Sequence, residues 1–380
     1  MVELTYEKMK KKIWKKIIVE LFRLKKMEEL YGLYVNIHKK YNIPVKNFNR
    51  WIFSHSLYPN KKTDPVIPNK STYEELHDIF YSAFKKKGEK LDIKKITDEL
   101  LLKAKMITKD IKKKKIKIDY AKLTYEGDLF IFEYNGLMIK SYMERFDHQS
   151  FRKCNTFPIG EIWKKHVDYK IMKRLDKLYS GSSEIKYLRI FRLIVRYENM
   201  EFERNNQGAS PKEIFEILEK SGCEMELFAA PQYSYFNKFC SAYYDTDKYF
   251  GSRGSFMNFF PKNGIYQGAP INSNYFLNSI LKHIVDILRD ADNICFILFL
   301  PDWDDLEYLN IIDNIKGCKK YIIPKNVQIY ESRNIDKKSI ITVVPNSSRI
   351  YFIQKNMNID HKKIYDEIIK LYTAIVYAKR

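Results

Sequence analysis

The chain has 380 residues, with 68 Lys and Arg against 47 Asp and Glu, a net charge of +21. Hydrophobic residues make up 45%, enough for a packed core, which excludes wholesale disorder; the length suits one large domain or two. Only 13 Gly and 12 Pro exclude collagen-like and low-complexity linker architectures.

The charge is uneven. Residues 1–180 carry 41 basic and 23 acidic side chains, a net of +18, and residues 181–380 carry 27 and 24, a net of +3. A phosphate-bearing partner would gain from such a surface by counterion release. The bland alternative is a set of solvated Lys-rich helices from an AT-rich genome. The densest cluster is Lys112, Lys113, Lys114 and Lys115.

Cysteine and histidine use is uninformative about metals. Cys154, Cys223, Cys240, Cys295 and Cys318 are scattered with no Cys-x-x-Cys pair, so neither a disulfide framework nor a zinc module is expected, and a reducing compartment is. His38, His55, His77, His148, His166, His283 and His361 are equally scattered, and His166 and His283 read as half-buried helix residues. The longest apolar run, 294–301, is far below the ~18 residues of a membrane span and suits a buried strand. The N-terminus has no signal-peptide pattern, so secretion is not expected.

In chain order, apolar spacing predicts a helix over 5–40. Pro59, Pro65 and Pro68 mark 55–71 as loop; Thr72 with Glu75 reads as a capping box for a helix to about Lys85, and another helix is predicted over 91–114. Runs at 123–125, 129–133 and 137–141 read as strands, with Asn135-Gly136 a hairpin turn. Helical texture returns over 160–200, and Ser210-Pro211 with Glu213 opens a helix that ends near Ser221-Gly222. Strands are then predicted at 225–228, 256–260, 294–300, 320–323, 340–344 and 350–353. The last two form an antiparallel hairpin across 338–354, turning at Pro345-Asn346-Ser347-Ser348. Helices are predicted over 274–289 and 360–378.

The informative block is 228–303. It holds Pro231, an aromatic segment Tyr233–Phe239, Asp245-Thr246-Asp247, Phe250-Gly251-Ser252-Arg253-Gly254, Pro270 and a closing Pro301-Asp302-Trp303. A strand end followed by a turn and a helix is where open α/β sheets bind ligands. The carboxylates suit ribose hydroxyls or an ammonium, and the aromatics suit a base. The same residues also serve as ordinary turn formers.

This block resembles the catalytic core of the phosphorylated-CTD-interacting factor family, cap-specific adenosine N6-methyltransferases. Pro231, Tyr235-Phe236, Phe239–Ala242, Asp245–Asp247, Tyr249–Gly254, Phe260-Pro261, Gly264, His283 and Phe299–Trp303 carry the resemblance. The family's WW module is not visible, since Trp14 and Trp51 are too far apart. The resemblance implies a Rossmann-like methyltransferase domain preceded by a mainly helical basic domain with a small antiparallel hairpin. The boundaries expected are 1–120 for a basic helical region, 121–222 for a hairpin plus helices, and 223–380 for the methyltransferase fold. It further implies S-adenosylmethionine as cofactor, held by Pro231, Asp245, Asp247, Phe250 and Gly251, and a basic RNA groove, for which Lys112–Lys115, from the charge distribution, and Arg253 are the candidate contacts. Capped mRNA and a transcription-machinery protein are the implied partners, with no membrane.

One departure matters. The family carries Asn-Pro-Pro-Phe, whose Asn accepts the adenine amine's hydrogens and whose Phe stacks on the base. The aligned residues here are Ala269-Pro270-Ile271-Asn272. Gln267, Asn272 or Asn274 are candidate substitute acceptors, and Tyr266 or Tyr275 candidate substitute aromatics. Three readings follow: a degenerate member that still binds RNA or the cofactor, an active methyltransferase of altered chemistry, and a protein-interaction scaffold with an empty pocket. The family is nuclear, whereas a viral copy would act in cytoplasm.

Overall fold

The computed structural model describes residues 1–7, 10–42, 45, 47–55, 63–85, 92–134, 137–140, 161–198, 208–303, 306–334 and 337–378. Asn135-Gly136, His148, Cys154 and Pro59 lie outside the described residues. The chain is mixed α/β and divides into two compact units. The first comprises 1–55, 60–204 and 335–337, the second 56–59, 205–334 and 338–380. Among the described residues, no helix is long and apolar enough to cross a membrane.

The first unit begins with strand β1 (Val2–Thr5), then helices α1 (Lys11–Lys40), α2 (Phe48–Ser54), α3 (Tyr73–Lys85) and α4 (Ile93–Lys113). Strands β2 (Ala121–Glu126), β3 (Leu129–Tyr134), β4 (Leu137–Lys140) and β5 (Glu161–His166) follow, then α5 (Tyr169–Leu178) and α6 (Lys186–Glu198). All five strands form one sheet, larger than the small hairpin expected. One helix prediction is therefore corrected, at 161–166, and a strand outside the predictions is added at 2–5. Residues 2–5 pair antiparallel with β2, and 161–166 pair antiparallel with β3, so His166 ends a strand. At 161–166 distant strand pairing overrides local helical spacing.

The capping residues at α3 also differ from expectation. Asn69 caps the preceding 3-10 turn by accepting from Ser71 N at 2.8 Å. Thr72 Oγ1 instead accepts from Trp51 Nε1 at 2.9 Å, and buried Glu75 pairs with Arg50. The long α1 is pinned to α6 by charge. Glu20 accepts from Arg196 Nε at 2.8 Å and pairs with Arg192 at 3.1 Å and with Arg23. Arg23 also holds Asp64 at 2.9 Å, whose carboxylate accepts from Val66 N and Ile67 N. All five ionic side chains are buried.

The second unit contains β6 (Gly208–Ala209), α7 (Lys212–Lys220), β7 (Cys223–Glu226), the single turn α8 (Tyr244–Asp247), β8 (Asn263–Gly268), α9 (Asn274–Asp290) and β9 (Asn293–Pro301). It closes with α10 (Leu309–Asp313), β10 (Lys319–Ile323), β11 (Ile329–Asn334), β12 (Lys337–Val343), β13 (Ser348–Lys355) and α11 (His361–Tyr377). The main sheet runs β10-β13-β9-β8-β7. Strands β7, β8 and β9 are parallel, and β13 is antiparallel to both β9 and β10.

Strand alternation divides the core. Ile294, Phe296, Leu298 and Leu300 of β9 face a layer with α9 and α10, while Cys295, Ile297 and Phe299 face α7 and α11. A strand covered on both faces reads as a continuous apolar run, which is why β9 has no alternation.

Two further expectations are corrected here. Residues 256–258 form a 3-10 turn rather than a strand, capped by Ser255. The hairpin over 338–354 is absent among the described strands. β12 belongs to a separate sheet, β12-β11-β6, and β13 enters the main sheet. Both segments are apolar enough to pair locally, but the buried slot beside β9 takes β13.

Candidate functional site

The carboxyl ends of β7, β8 and β9 lie on one edge of the sheet, the edge where open α/β sheets hold ligands. The chain leaving β7 is tied to that edge by its backbone. Leu227 N donates to Gln267 O at 2.8 Å, Cys240 N to Glu226 O at 2.8 Å, and Ala229 N to Cys240 O at 3.0 Å. Phe239 then bridges Glu226 on one side and Ser252 on the other, both in parallel sense.

Glu226 organises the turn between these ties. Its buried carboxylate accepts from Tyr235 N at 2.7 Å and Phe236 N at 3.2 Å. Sequence reasoning missed it, although an acid directly before the apolar run Leu227–Ala230 is a candidate buried acceptor that needs donors. Pro231 and Gln232 are buried in the same turn. Gln232 is 4% exposed, and neither its amide nitrogen nor its oxygen has a hydrogen-bond partner. An unsatisfied buried amide is costly in a native fold, so this turn fits a polar ligand group.

The expected cofactor residues differ in their exposure. Asp247 is fully enclosed and accepts from Thr246 Oγ1 at 2.7 Å, while Asp245 is half-buried. Phe250 is core. Gly251 has φ +96°, and a Cβ there would lie 2.1 Å from Asn237 O, so only glycine closes this loop. Ser241 and Ser252 hydroxyls meet at 2.7 Å, and Ser252 Oγ accepts from Gly254 N at 3.0 Å. Arg253 is exposed, its backbone N held by Phe239 O at 2.8 Å. Lys112–Lys115 belong to the other unit, at the end of α4, where Lys114 Nζ sits 4.8 Å from the Phe22 ring centroid.

The loop after β8 is the aligned Ala269–Asn272 stretch. Ala269 packs toward the α7 and α11 layer, Pro270 is buried, Ile271 packs toward the α9 layer, and Asn272 is exposed. Ser273 caps α9, accepting from Phe276 N at 3.3 Å. Tyr266 points the other way: its hydroxyl donates to Asn263 O at 2.6 Å, at the start of β8. Burial, reinforced by Glu224, pushes that phenol up to about 12. Tyr266 is therefore a core residue, not a substitute aromatic in the loop. Gln267 is buried.

Other singled-out residues are structural. His283 Nε2 meets Phe259 O at 3.1 Å between the Phe256 and Phe260 rings, and burial lowers its pKa. Asp302 is held by Ser347 Oγ at 2.6 Å and by Arg349, and both lower its pKa. Arg349 also donates to Trp303 O at 3.2 Å, so the Pro-Asp-Trp end of β9 is a clamp onto β13. Burial pushes the Cys240 thiol up to about 12, which removes it as a nucleophile. Among the described residues, no group of three or more His, Cys, Asp or Glu is placed to hold a metal.

These features define a mixed α/β fold with a candidate ligand edge at the carboxyl ends of β7, β8 and β9. Residues 174–332 match the family model described as Phosphorylated CTD interacting factor 1 WW domain. The matched span contains one tryptophan, Trp303, while Trp14 and Trp51 lie in α1 and α2. Two curated relatives are named mRNA (2'-O-methyladenosine-N(6)-)-methyltransferase. The Mus musculus protein is 37% identical over 99 residues and the Homo sapiens protein 36% over 99. Each match covers 26% of this chain and 14% of the relative's length.

Proposed function

We propose that the second unit is a Rossmann-like, S-adenosylmethionine-binding methyltransferase-fold domain. In this reading the chain binds RNA, with capped mRNA the favoured substrate class, but its adenine-activating loop has lost its function. The parallel β7-β8-β9 order, with α9 crossing between β8 and β9, supports the Rossmann-like reading. The named activity of the two relatives supports the substrate class. The basic first half, with Lys112–Lys115 at the end of α4, supports RNA binding.

When bound, the cofactor supplies an electrophilic methyl group. The Pro231–Phe236 turn with Gln232, and half-buried Asp245, would hold it. What this chain lacks is the means to aim an adenine nitrogen at that methyl. The amine's lone pair is delocalised into its ring, so transfer depends on positioned acceptors for its two hydrogens.

The observation that carries the reading is the loop after β8. Ala269 offers no side-chain acceptor and is packed toward the core, Asn272 stands exposed, and Ser273 is spent on the helix cap. Losing one such group costs ~10²–10³ in rate.

The test is labelled methyl transfer to capped and uncapped RNA by the purified chain. Incorporation is expected ~10²–10³-fold below that of a variant restoring the loop as Ala269→Asn, Ile271→Pro and Asn272→Phe. Robust transfer by the unaltered chain would overturn degeneracy. Saturable S-adenosylmethionine binding by calorimetry is expected, and its absence would favour the empty-pocket scaffold.

A further inference from the structure

The loop that encloses Asp247 has an outer side of different character. Tyr244 opens the α8 turn and is 54% exposed. Lys248, one turn later, places its Nζ 5.9 Å from the Tyr244 ring centroid and 5.1 Å from that of Tyr249. The Tyr244 ring lies against Gly254, where a Cβ would sit 3.5 Å from Cδ2. Arg253 precedes that glycine, exposed and fixed through its backbone to Phe239 O.

The charges on this side are uncompensated. Among the described residues neither Lys248 nor Arg253 has a carboxylate within ion-pair reach, whereas Lys212 holds Glu216 at 2.6 Å and Lys320 holds Asp313 at 2.6 Å. Asp247 turns inward to Thr246, and Asp245 is half-buried. A half-exposed tyrosine ring with a lysine ammonium over it, and an exposed arginine one residue before the glycine that the ring packs on, suit a single-stranded nucleic acid, base on ring and phosphate on cation. The aromatic row Tyr73, His77 and Tyr81 on α3 also has a cation, Lys85 Nζ 5.9 Å from the Tyr81 ring centroid, but is flanked by the carboxylates Glu74 and Asp78.

We propose that Tyr244, Lys248 and Arg253 form a stacking platform for one nucleotide of single-stranded RNA, with the base on the tyrosine and the adjoining phosphates on the two cations. The proposal rests on the RNA-binding reading above and locates a contact point for it. The platform is independent of the degenerate loop, so it persists whether or not methyl transfer does.

The test uses the full chain, a fluorescent uncapped single-stranded RNA and an abasic strand of equal length. Tyr244→Ala is expected to weaken RNA binding on the order of 10-fold, and Tyr244→Phe to keep wild-type affinity. The unaltered chain should bind the abasic strand about as weakly as Tyr244→Ala binds RNA. Lys248→Gln and Arg253→Gln should each reduce the slope of log affinity against log salt by ~0.7. These two exposed positions carry the test if Tyr244→Ala fails to fold.

Wild-type affinity and slope in all the variants would overturn the platform alone, leaving the RNA-binding reading standing. Equal binding of abasic and normal strands would reduce the face to a plain anion surface and also overturn it. No RNA binding by the unaltered chain, with S-adenosylmethionine binding intact, would overturn both the platform and the RNA-binding reading.

Discussion

Where α1 meets α6, the first unit buries three arginines and two carboxylates; where β9 runs through the second unit, seven consecutive buried residues from Ile294 to Leu300 carry no charge. The apolar strand gains from every side chain removed from water, about 1.5–3 kcal/mol each. The ionic cluster gains nothing comparable by being buried, because desolvation opposes the attraction between its members. Its value is geometric. Five groups that must all be satisfied together fix the register of α1 against α6 and of the 64–67 loop against α1. Two apolar faces would slide past one another more cheaply.

The largest expected effect follows from breaking that register. Glu20→Ala removes the buried carboxylate that Arg23, Arg192 and Arg196 share and should cost about 3–5 kcal/mol. Denaturant unfolding with hydrogen exchange would check it, with protection lost in α1 and α6. A cost below 1 kcal/mol would show that the cluster is loosely held. In the second unit, Leu298→Ala at the centre of β9 should cost about 2–5 kcal/mol through the cavity it leaves. Its loss of protection should fall on the β9 sheet and leave α1 unaffected; loss spread evenly over both units would mean that they unfold as one.

The contrast has a pH dependence as well. Burial alone would raise the Glu20 pKa, but Arg196, Arg23 and Arg192 outweigh it and hold the carboxyl down at about 2. A depressed folded-state value means the stabilisation is fully present above the unfolded carboxylate's pKa, near 4.3. It is lost as pH falls from there toward about 2. Acid titration of stability should therefore fall across that window, and Glu20→Gln should flatten the fall. An unchanged acid slope in the variant would assign the titration to other carboxylates.

Legibility in the sequence tracked the same divide. The run that became β9, the helical spacing of α9 and the closing helix were readable because one periodicity and a local burial pattern determine each. Val2–Thr5 and 161–166 were not, since their strand identity comes from partners at 122–125 and 129–132. The exchange of β13 into the main sheet was hidden for the same reason. At the site, the block from Pro231 to Gly254 and the altered loop at Ala269 were visible as motifs. The inward turn of Asp247, the donors gathered by Glu226 and the unpaired amide of Gln232 required coordinates, because each depends on where the backbone N–H groups and hydroxyls fall.

The smallest expected effect sharpens what the altered loop still does. Ser273 has extended backbone, φ −147° and ψ 133°, and its hydroxyl accepts from Phe276 N while its carbonyl accepts from Leu277 N at 2.8 Å. Removing the hydroxyl in Ser273→Ala leaves one first-turn N–H of α9 without its partner and should cost about 0.5–2 kcal/mol in thermal or denaturant unfolding. The same change should leave methyl transfer and S-adenosylmethionine affinity where they were, if the serine serves only the helix. A loss of cofactor affinity beyond the stability change would mean that the start of α9 is part of the binding edge. The loop after β8 would then have a ligand-facing role beside Ala269.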